Sequence, residues 1–376
     1  MSAGKTRLCI VSPRQDGGGA EYQIECLIDM LRQQNRHEIF YLARHVAAQA
    51  PTSGYRFVKI GRGDHVPRFG YTMDALPLYR ALRRIAPHVI YQRVGGGYTG
   101  VCAWYARRRG ARMIWHVASD ADVIRRVLIA GRNPVRPYLE KRCTEYGIRH
   151  ADYIVVQTQQ QAQLLQANYG RKADVIIPNF HPLPQEIIDK TGRKTVIWIA
   201  NFKPLKQPEA FVRLAAELRD LNEVRFAMVG APVTGPGDRQ WKEALMTAIQ
   251  STPNVEYLGW QSQREVNELM ARSHVYVNTS RFEGFSNTFI QAWMRGVPVV
   301  SLHVNPDRVL DHEAVGIHTG SEEQLGRAVR LLLADEALRT AYASRARDYA
   351  VRSHSMQNAQ KLVELIDSCA VSAKLE

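Results

Sequence analysis

Residues Arg281 to Val300 read Arg-Phe-Glu-Gly-Phe-Ser-Asn-Thr-Phe-Ile-Gln-Ala-Trp-Met-Arg-Gly-Val-Pro-Val-Val, a polar loop, a short helix and a strand. Ser286 or Asn287 suits the helix N-cap, Thr288 to Arg295 suit the helix, Gly296 suits a left-handed stop, and Val297 to Val300 suit a buried strand. A loop that delivers a helix start presents unpaired N–H groups and a partial positive charge, which favours phosphate or diphosphate. Glu283, in the loop just ahead, repels a bare phosphate but suits sugar hydroxyls. Together they point to a phosphorylated sugar, although the same three pieces occur without any ligand in other α/β proteins.

Working outward, 376 residues exceed one ordinary core and predict two domains of about 150 to 200 residues each. The balance of 45% hydrophobic and 23% charged residues is that of a soluble globular protein. No apolar run approaches the roughly 20 residues that cross a bilayer, and the basic start leads straight into an apolar strand rather than a signal peptide. A cytoplasmic protein is expected. Cys9, Cys26, Cys102, Cys143 and Cys369 lack metal or redox spacing, so free thiols are expected rather than a zinc site or disulfide framework. Charge is uneven: residues 1–180 hold 27 Lys and Arg against 13 Asp and Glu, whereas residues 181–376 hold 23 of each. The excess implies an anionic partner for the first half: a lipid surface, a nucleic acid or a phosphorylated substrate.

Strand and helix patterns alternate along the whole chain, as parallel α/β sheets require. Strands are expected at Arg7 to Ser12, His37 to Leu42, Arg56 to Ile60, Val89 to Arg93, Arg112 to Val117, Ala151 to Gln157 and Asp174 to Phe180. Gly17, Gly18 and Gly19 join the first strand to a helix without the G-x-G-x-x-G spacing of a dinucleotide site. Gly95, Gly96 and Gly97 form a second glycine loop, lining a ligand site or making a close turn, ahead of a helix at Val101 to Arg109. His116 ends its strand, where ligands gather in open α/β sheets. Arg125 to Arg142 mixes basic and apolar residues, with Tyr138 and Leu139 as candidate interfacial anchors, while Pro134 and Pro137 break any single long helix. Arg80 to Arg84 and Arg107 to Arg112 are competing basic patches. Pro182 to Lys194 has the composition of a linker. A second alternation then runs from Thr195 through Asn201 to Pro208, where Lys203 and Lys206 precede a helix, and the chain ends in an apolar-striped helix, Gln357 to Ala370.

Glu-Gly-Phe-Ser-Asn followed by a helix and Gly-Val-Pro-Val-Val resembles the donor-site signature of retaining glycosyltransferases of family 4, the bacterial surface-polysaccharide type. The resemblance implies a GT-B fold: two Rossmann-like domains facing each other across a cleft, with the C-terminal helix crossing back to the first. It divides the chain into an acceptor-binding domain at 1–182, a linker at 183–194, a nucleotide-sugar-binding domain at 195–354 and a return helix at 355–376. Glu283 inherits contact with the transferred sugar. Gln291 stands where the signature has a second acidic residue, and so implies a ribose contact without charge. Lys206 matches the lysine that holds the donor diphosphate, while Asn201 replaces the usual arginine five residues earlier, with Lys203 available to compensate. Gly18 and Gly19 match the first glycine loop, and His116 the histidine near the transferred sugar. The catalytic set is therefore Glu283, Lys206 and His116, and the donor-binding set adds Gly18, Gly19, Asn201, Gly284, Phe285, Ser286, Asn287 and Gln291.

The function implied is transfer of a sugar from a UDP- or GDP-sugar, with no metal and no permanently bound cofactor, to a saccharide that the basic first half suggests is lipid-linked. No acidic pair of D-x-D type stands in a suitable loop. The enzyme would be peripheral on the inner face of the cell membrane, against its anionic surface. A sugar-nucleotide epimerase or an inverting transferase shares this architecture. A nucleic-acid-binding protein would explain the charge but lacks interleaved aromatics and leaves Glu283 and Lys206 unused, so no nucleic-acid partner is expected.

Overall fold

Runs such as Leu-Cys-Ile-Val and Tyr-Ile-Val-Val are too short for buried helices and too evenly apolar for one-sided strands, so they sit inside a sheet covered on both faces. The computed structural model describes residues 5–15, 18–45, 54–61, 71–124, 135–186, 188, 190–232 and 239–375. The chain divides into two units, Met1–Phe180 with Met356–Glu376, and His181–Ser355.

In the first unit β1 (Thr6–Val11), α1 (Gly19–Gln34), β2 (His37–Ala43), β3 (Arg56–Lys59), α2 (Ala75–Ile85), β4 (Val89–Arg93), α3 (Gly97–Arg109) and β5 (Arg112–His116) come first. They are followed by α4 (Asp120–Val123), α5 (Val135–His150), β6 (Tyr153–Val156), α6 (Gln159–Tyr169) and β7 (Val175–Ile176). The strands form one parallel sheet in the order β3-β2-β1-β4-β5-β6-β7. Alternate residues serve opposite faces. Cys9, Val11, Ile90, Met113 and Trp115 join the core under α2 and α3, while Leu8, Ile10, Val89, Tyr91 and Ile114 join the core under α1.

The second unit runs β8 (Lys194–Ile199), α7 (Pro208–Glu217), β9 (Val224–Val229), α8 (Arg239–Gln250), β10 (Val255–Gly259), α9 (Gln263–Ala271) and β11 (Val275–Asn278). It continues with α10 (Asn287–Met294), β12 (Val299–Ser301), α11 (Val309–His312), β13 (Gly316–His318), α12 (Glu322–Ala334) and α13 (Glu336–His354). Its parallel sheet has the order β10-β9-β8-β11-β12-β13. The last helix, α14 (Gln357–Leu375), belongs to the first unit, where Leu362, Val363 and Ile366 share a core with Ile24, Leu27 and Ile28 of α1. Asp367 then ties it to β2 by accepting from Arg36 and His37, each at 2.8 Å.

Four expectations need correction. α3 begins at Gly97, not Val101, with Gly96 as its N-cap and Gly97 and Gly100 in its first turn: a Cβ on Gly100 would lie 2.3 Å from the Cys143 carbonyl oxygen, so glycine lets α3 and α5 pack closely. Pro137 does not break α5; it lies in the first turn, where a missing N–H costs nothing. The strand expected over Asp174 to Phe180 is confined to Val175–Ile176, ahead of Pro178, and the short strand β13 had no counterpart in the sequence reading. Residues 183–194, expected as a linker, group with the second unit, and Lys190 Nζ donates to the Gly296 carbonyl at 2.5 Å. Residues 125–134 of the basic segment lie outside the described residues.

Candidate active site

Strand order reverses in the second sheet between β8 and β11, and ligands of open parallel sheets settle at that point, outside the carboxyl ends of the strands. The loops leaving those strands are residues 200–207 and 279–286. They are laced together: Trp198 Nε1 donates to Thr279 Oγ1 at 2.8 Å, the Thr279 hydroxyl is shared between the Lys206 and Gln207 carbonyls at 2.7 and 2.9 Å, and Arg281 N–H donates to the Leu205 carbonyl at 3.0 Å. Gln207 takes a left-handed φ of 46° immediately before Pro208, a conformation held by this lacing.

The lacing sets Lys206 against Glu283. The ammonium donates to Glu283 Oε1, and the Ser280 hydroxyl donates to the same oxygen at 2.8 Å. Both side chains are largely buried, so the pair feels less screening than a surface ion pair. It joins a cation that can meet a diphosphate to a carboxylate that can orient hydroxyls, in the crevice where the topology puts a ligand.

The helix start follows at once. Ser286 is the N-cap by position, yet contrary to the sequence expectation it makes no side-chain cap; its hydroxyl bonds Thr288 Oγ1 at 2.8 Å, which in turn bonds the Tyr276 hydroxyl at 2.7 Å. Asn287 Oδ1 accepts from His181 Nε2 at 3.1 Å. Phe285 is buried against Trp293 and His354, with ring centroids 5.9 and 4.4 Å apart, and half-buried Gly284 precedes it. Gln291 is buried, its amide donating to Asn267 Oδ1 at 3.0 Å. Asn201 and Lys203 are exposed in the loop after β8, which lies against Gly230 so closely that a Cβ there would sit 1.9 Å from the Ala200 carbonyl oxygen. Among the described residues no group of three or more His, Cys, Asp and Glu gathers in a metal-holding arrangement.

Gly18, Gly19 and His116 belong to the first unit, Lys206 and Glu283 to the second. Gly18 is the extended N-cap of α1 and Gly19 its first residue; a Cβ on Gly18 would fall 2.2 Å from Glu21 Oε2. His116 ends β5 fully buried, bonded through Nδ1 to the Tyr91 hydroxyl at 2.8 Å and Arg93 Nη1 at 3.1 Å. Burial first, and the Arg93 charge second, hold the imidazole well below its ordinary pKa, so it is neutral. Sequence reasoning missed Arg93, Ser280 and Thr279; the signal for Arg93 was its place just before Gly95, at the switch between β1 and β4.

Two all-parallel, doubly wound sheets, one carrying a lysine–carboxylate pair and a helix start at its switch point, are the α/β architecture of GT-B proteins. The family model described as glycosyl transferases group 1 matches residues 193–335, and that for a glycosyl transferase 4-like domain matches residues 18–179. Sucrose-phosphate synthase from Thermosynechococcus elongatus superposes with TM-score 0.76 at 15% identity, over 97% of this chain and 99% of that one. Anabaena HepE, solved in complex with UDP and glucose, gives 0.74 at 17% identity over 96% and 100% of the two chains. WaaG, a glycosyltransferase involved in lipopolysaccharide biosynthesis, gives 0.69 at 14% over 96% and 99%. The lipopolysaccharide core biosynthesis glycosyltransferase LpsE of Rhizobium meliloti (strain 1021) is 28% identical over 116 residues, 30% of this chain and only 34% of that relative's length. The chain belongs to the family 4 glycosyltransferases of GT-B fold.

Proposed function

We propose that the protein is a retaining glycosyltransferase that moves a sugar from a nucleotide-diphosphate sugar to a lipid-linked saccharide, in the assembly of a cell-surface polysaccharide at the inner face of the membrane. The observation that carries this reading is the Lys206–Glu283 pair beside a helix start whose N-cap side chain is turned elsewhere. In the free enzyme each charge satisfies the other. When the donor binds, the diphosphate takes over Lys206, and Glu283 is released to the hydroxyls of the sugar.

As the glycosidic bond to the diphosphate breaks, positive charge develops at the anomeric carbon and negative charge on the leaving phosphate. Lys206 and the first amides of α10 stabilise the leaving group, and preorganised donors of this kind supply much of an enzyme's advantage over water. Retention follows when the acceptor enters on the face the diphosphate leaves. Gln291, its amide set by Asn267, reaches the ribose, and Gly18 and Gly19 bring backbone close to the donor. Asn201 contributes no charge, so Lys206 with Lys203 carries the diphosphate. The resemblance assigns His116 to the transferred sugar, where it would act as a neutral imidazole.

UDP is favoured as the nucleotide by the HepE structures, solved in complex with UDP, with UDP and glucose, and with UDP-glucose. A lipid-linked acceptor is favoured by the lipopolysaccharide roles named for LpsE and WaaG and by the basic first half. Among the described residues no helix is long and apolar enough to cross a membrane. The test is a hydrolysis screen of UDP- and GDP-sugars without acceptor. One donor should be cleaved preferentially, with the α-anomer released first from an α-linked donor by NMR, and Glu283→Ala should abolish the cleavage; release of the inverted anomer would sink retention.

A further inference from the structure

Arg93 is the last residue of β4, beside β1 where the order of the first sheet reverses, and its side chain is fully buried. Buried guanidinium groups ordinarily face a carboxylate. This one donates to neutral partners: Nη1 to the Tyr91 hydroxyl at 3.3 Å and to His116 Nδ1 at 3.1 Å, and Nη2 to Asn179 Oδ1 at 2.7 Å. Its Nε is buried without a hydrogen-bond partner among the described residues. The strand end is itself held out of its relaxed shape. Val94 has a φ of 73°, unfavourable for a β-branched residue, and Gln92 Nε2 fastens the Arg93 and Val94 carbonyls at 2.9 and 2.5 Å.

The contact decides where the proton of His116 lies. A guanidinium carries five donors and no acceptor and does not deprotonate in proteins, so the ring nitrogen it meets must accept. The Tyr91 hydroxyl could face that nitrogen either way; Arg93 cannot. Nδ1 is therefore bare and the neutral ring carries its proton on Nε2. That Nε2 is buried and has no hydrogen-bond partner among the described residues. It is a donor for which none of the described residues supplies an oxygen.

We propose that Arg93 is a positioning residue that locks His116 in the Nε2–H tautomer, so that the imidazole offers a hydrogen bond to a substrate oxygen and takes no proton during transfer. The substrate side of this inference rests on the place given to His116 above, and it makes the partner of His116 an acceptor such as a sugar hydroxyl oxygen. Arg93 and Tyr91 are the ionisable side chains in contact with the ring among the described residues.

The test uses the full chain labelled with 15N-histidine and long-range 1H–15N correlation spectra, with His116 assigned by its loss in His116→Gln. Between pH 5.5 and 8 the wild type should show one neutral ring, protonated on Nε2. In Arg93→Met the Nδ1-protonated form should appear, because the Tyr91 hydroxyl is then free to accept. Arg93→Lys should keep the wild-type pattern, since an ammonium also only donates, and Tyr91→Phe should keep it because arginine suffices. These two variants decide the matter if Arg93→Met does not fold. An Nδ1-protonated or charged ring in the wild type, an unchanged tautomer in Arg93→Met, or loss of the tautomer in Tyr91→Phe would overturn the proposal. The spectra need no donor, so they succeed or fail separately from the nucleotide-sugar screen.

Discussion

Glu283 Oε1 accepts from both Lys206 and Ser280, so changing either member of the ion pair alters the other's freedom. Lys206→Met removes a charge-assisted contact to phosphate worth about 1.5–3 kcal/mol, so UDP affinity measured by calorimetry should fall roughly ten- to hundredfold. Glu283→Gln frees the ammonium instead; UDP affinity should hold or rise while sugar hydrolysis falls on the order of a hundredfold. Parallel loss of both in Glu283→Gln would refute the division of labour. A different residue carries pH dependence. Burial, partly opposed by the hydrogen bond to Asn287, lowers the His181 pKa to about 3, and burial first among its causes lowers that of His274 to about 4. Unfolded histidines titrate near about 6.5, so below that pH the unfolded chain binds protons that the native chain refuses. Stability present above about pH 6.5 is thus lost as pH falls towards 3. The urea midpoint should drop from pH 7 to pH 5 in the wild type and drop less in His181→Gln; equal drops would exclude the assignment. Glu283 and Lys206, each singled out by a short motif, are brought together by the fold. Arg93 was not legible in the sequence, because its partners His116 and Asn179 are distant in sequence, and Ser280, three residues before Glu283, lies just outside the motif.

At the scale of the element, α10 starts without a side-chain cap from Ser286. An N-cap Ser, Thr or Asp usually turns its oxygen onto the helix amides and stabilises the helix by about 0.5–2 kcal/mol. Here the Ser286 hydroxyl is engaged by Thr288, whose own hydroxyl is engaged by Tyr276. Ser286→Asp should cap the helix and place a negative charge where the phosphate is expected, raising the melting temperature while weakening UDP at least tenfold. A gain or no change in UDP affinity would show that the α10 amides do not meet the diphosphate. The strand Val89–Arg93 was readable to the residue because its apolar start and the glycines just beyond it mark both ends. The start of α3 was hidden because its glycines serve a close helix crossing rather than a turn, and β13 because three residues carry no period.

Across the whole molecule, the basic excess of the first half finds a place in the structure of the first unit. Neither α2 nor α3 contains an acidic residue, while together they carry Arg80, Arg83, Arg84, Arg107, Arg108 and Arg109, all exposed. None of the six pairs with a carboxylate among the described residues; Arg107 meets His150 and Arg108 lies over the Trp104 ring at 4.7 Å. The two helices adjoin through Tyr79 and Trp104, whose ring centroids are 4.9 Å apart, and Leu76 and Trp104 add exposed apolar surface. Cations around apolar anchors suit an anionic bilayer, where each basic residue near the surface contributes about 1 kcal/mol. Vesicles containing phosphatidylglycerol should therefore float with the protein and neutral phosphatidylcholine vesicles should not. Reversing Arg83→Glu and Arg108→Glu together should weaken that binding by at least roughly tenfold while leaving UDP-sugar hydrolysis in solution unchanged. Equal flotation with neutral vesicles, or a double variant that binds as well as the wild type, would move the membrane contact away from this face.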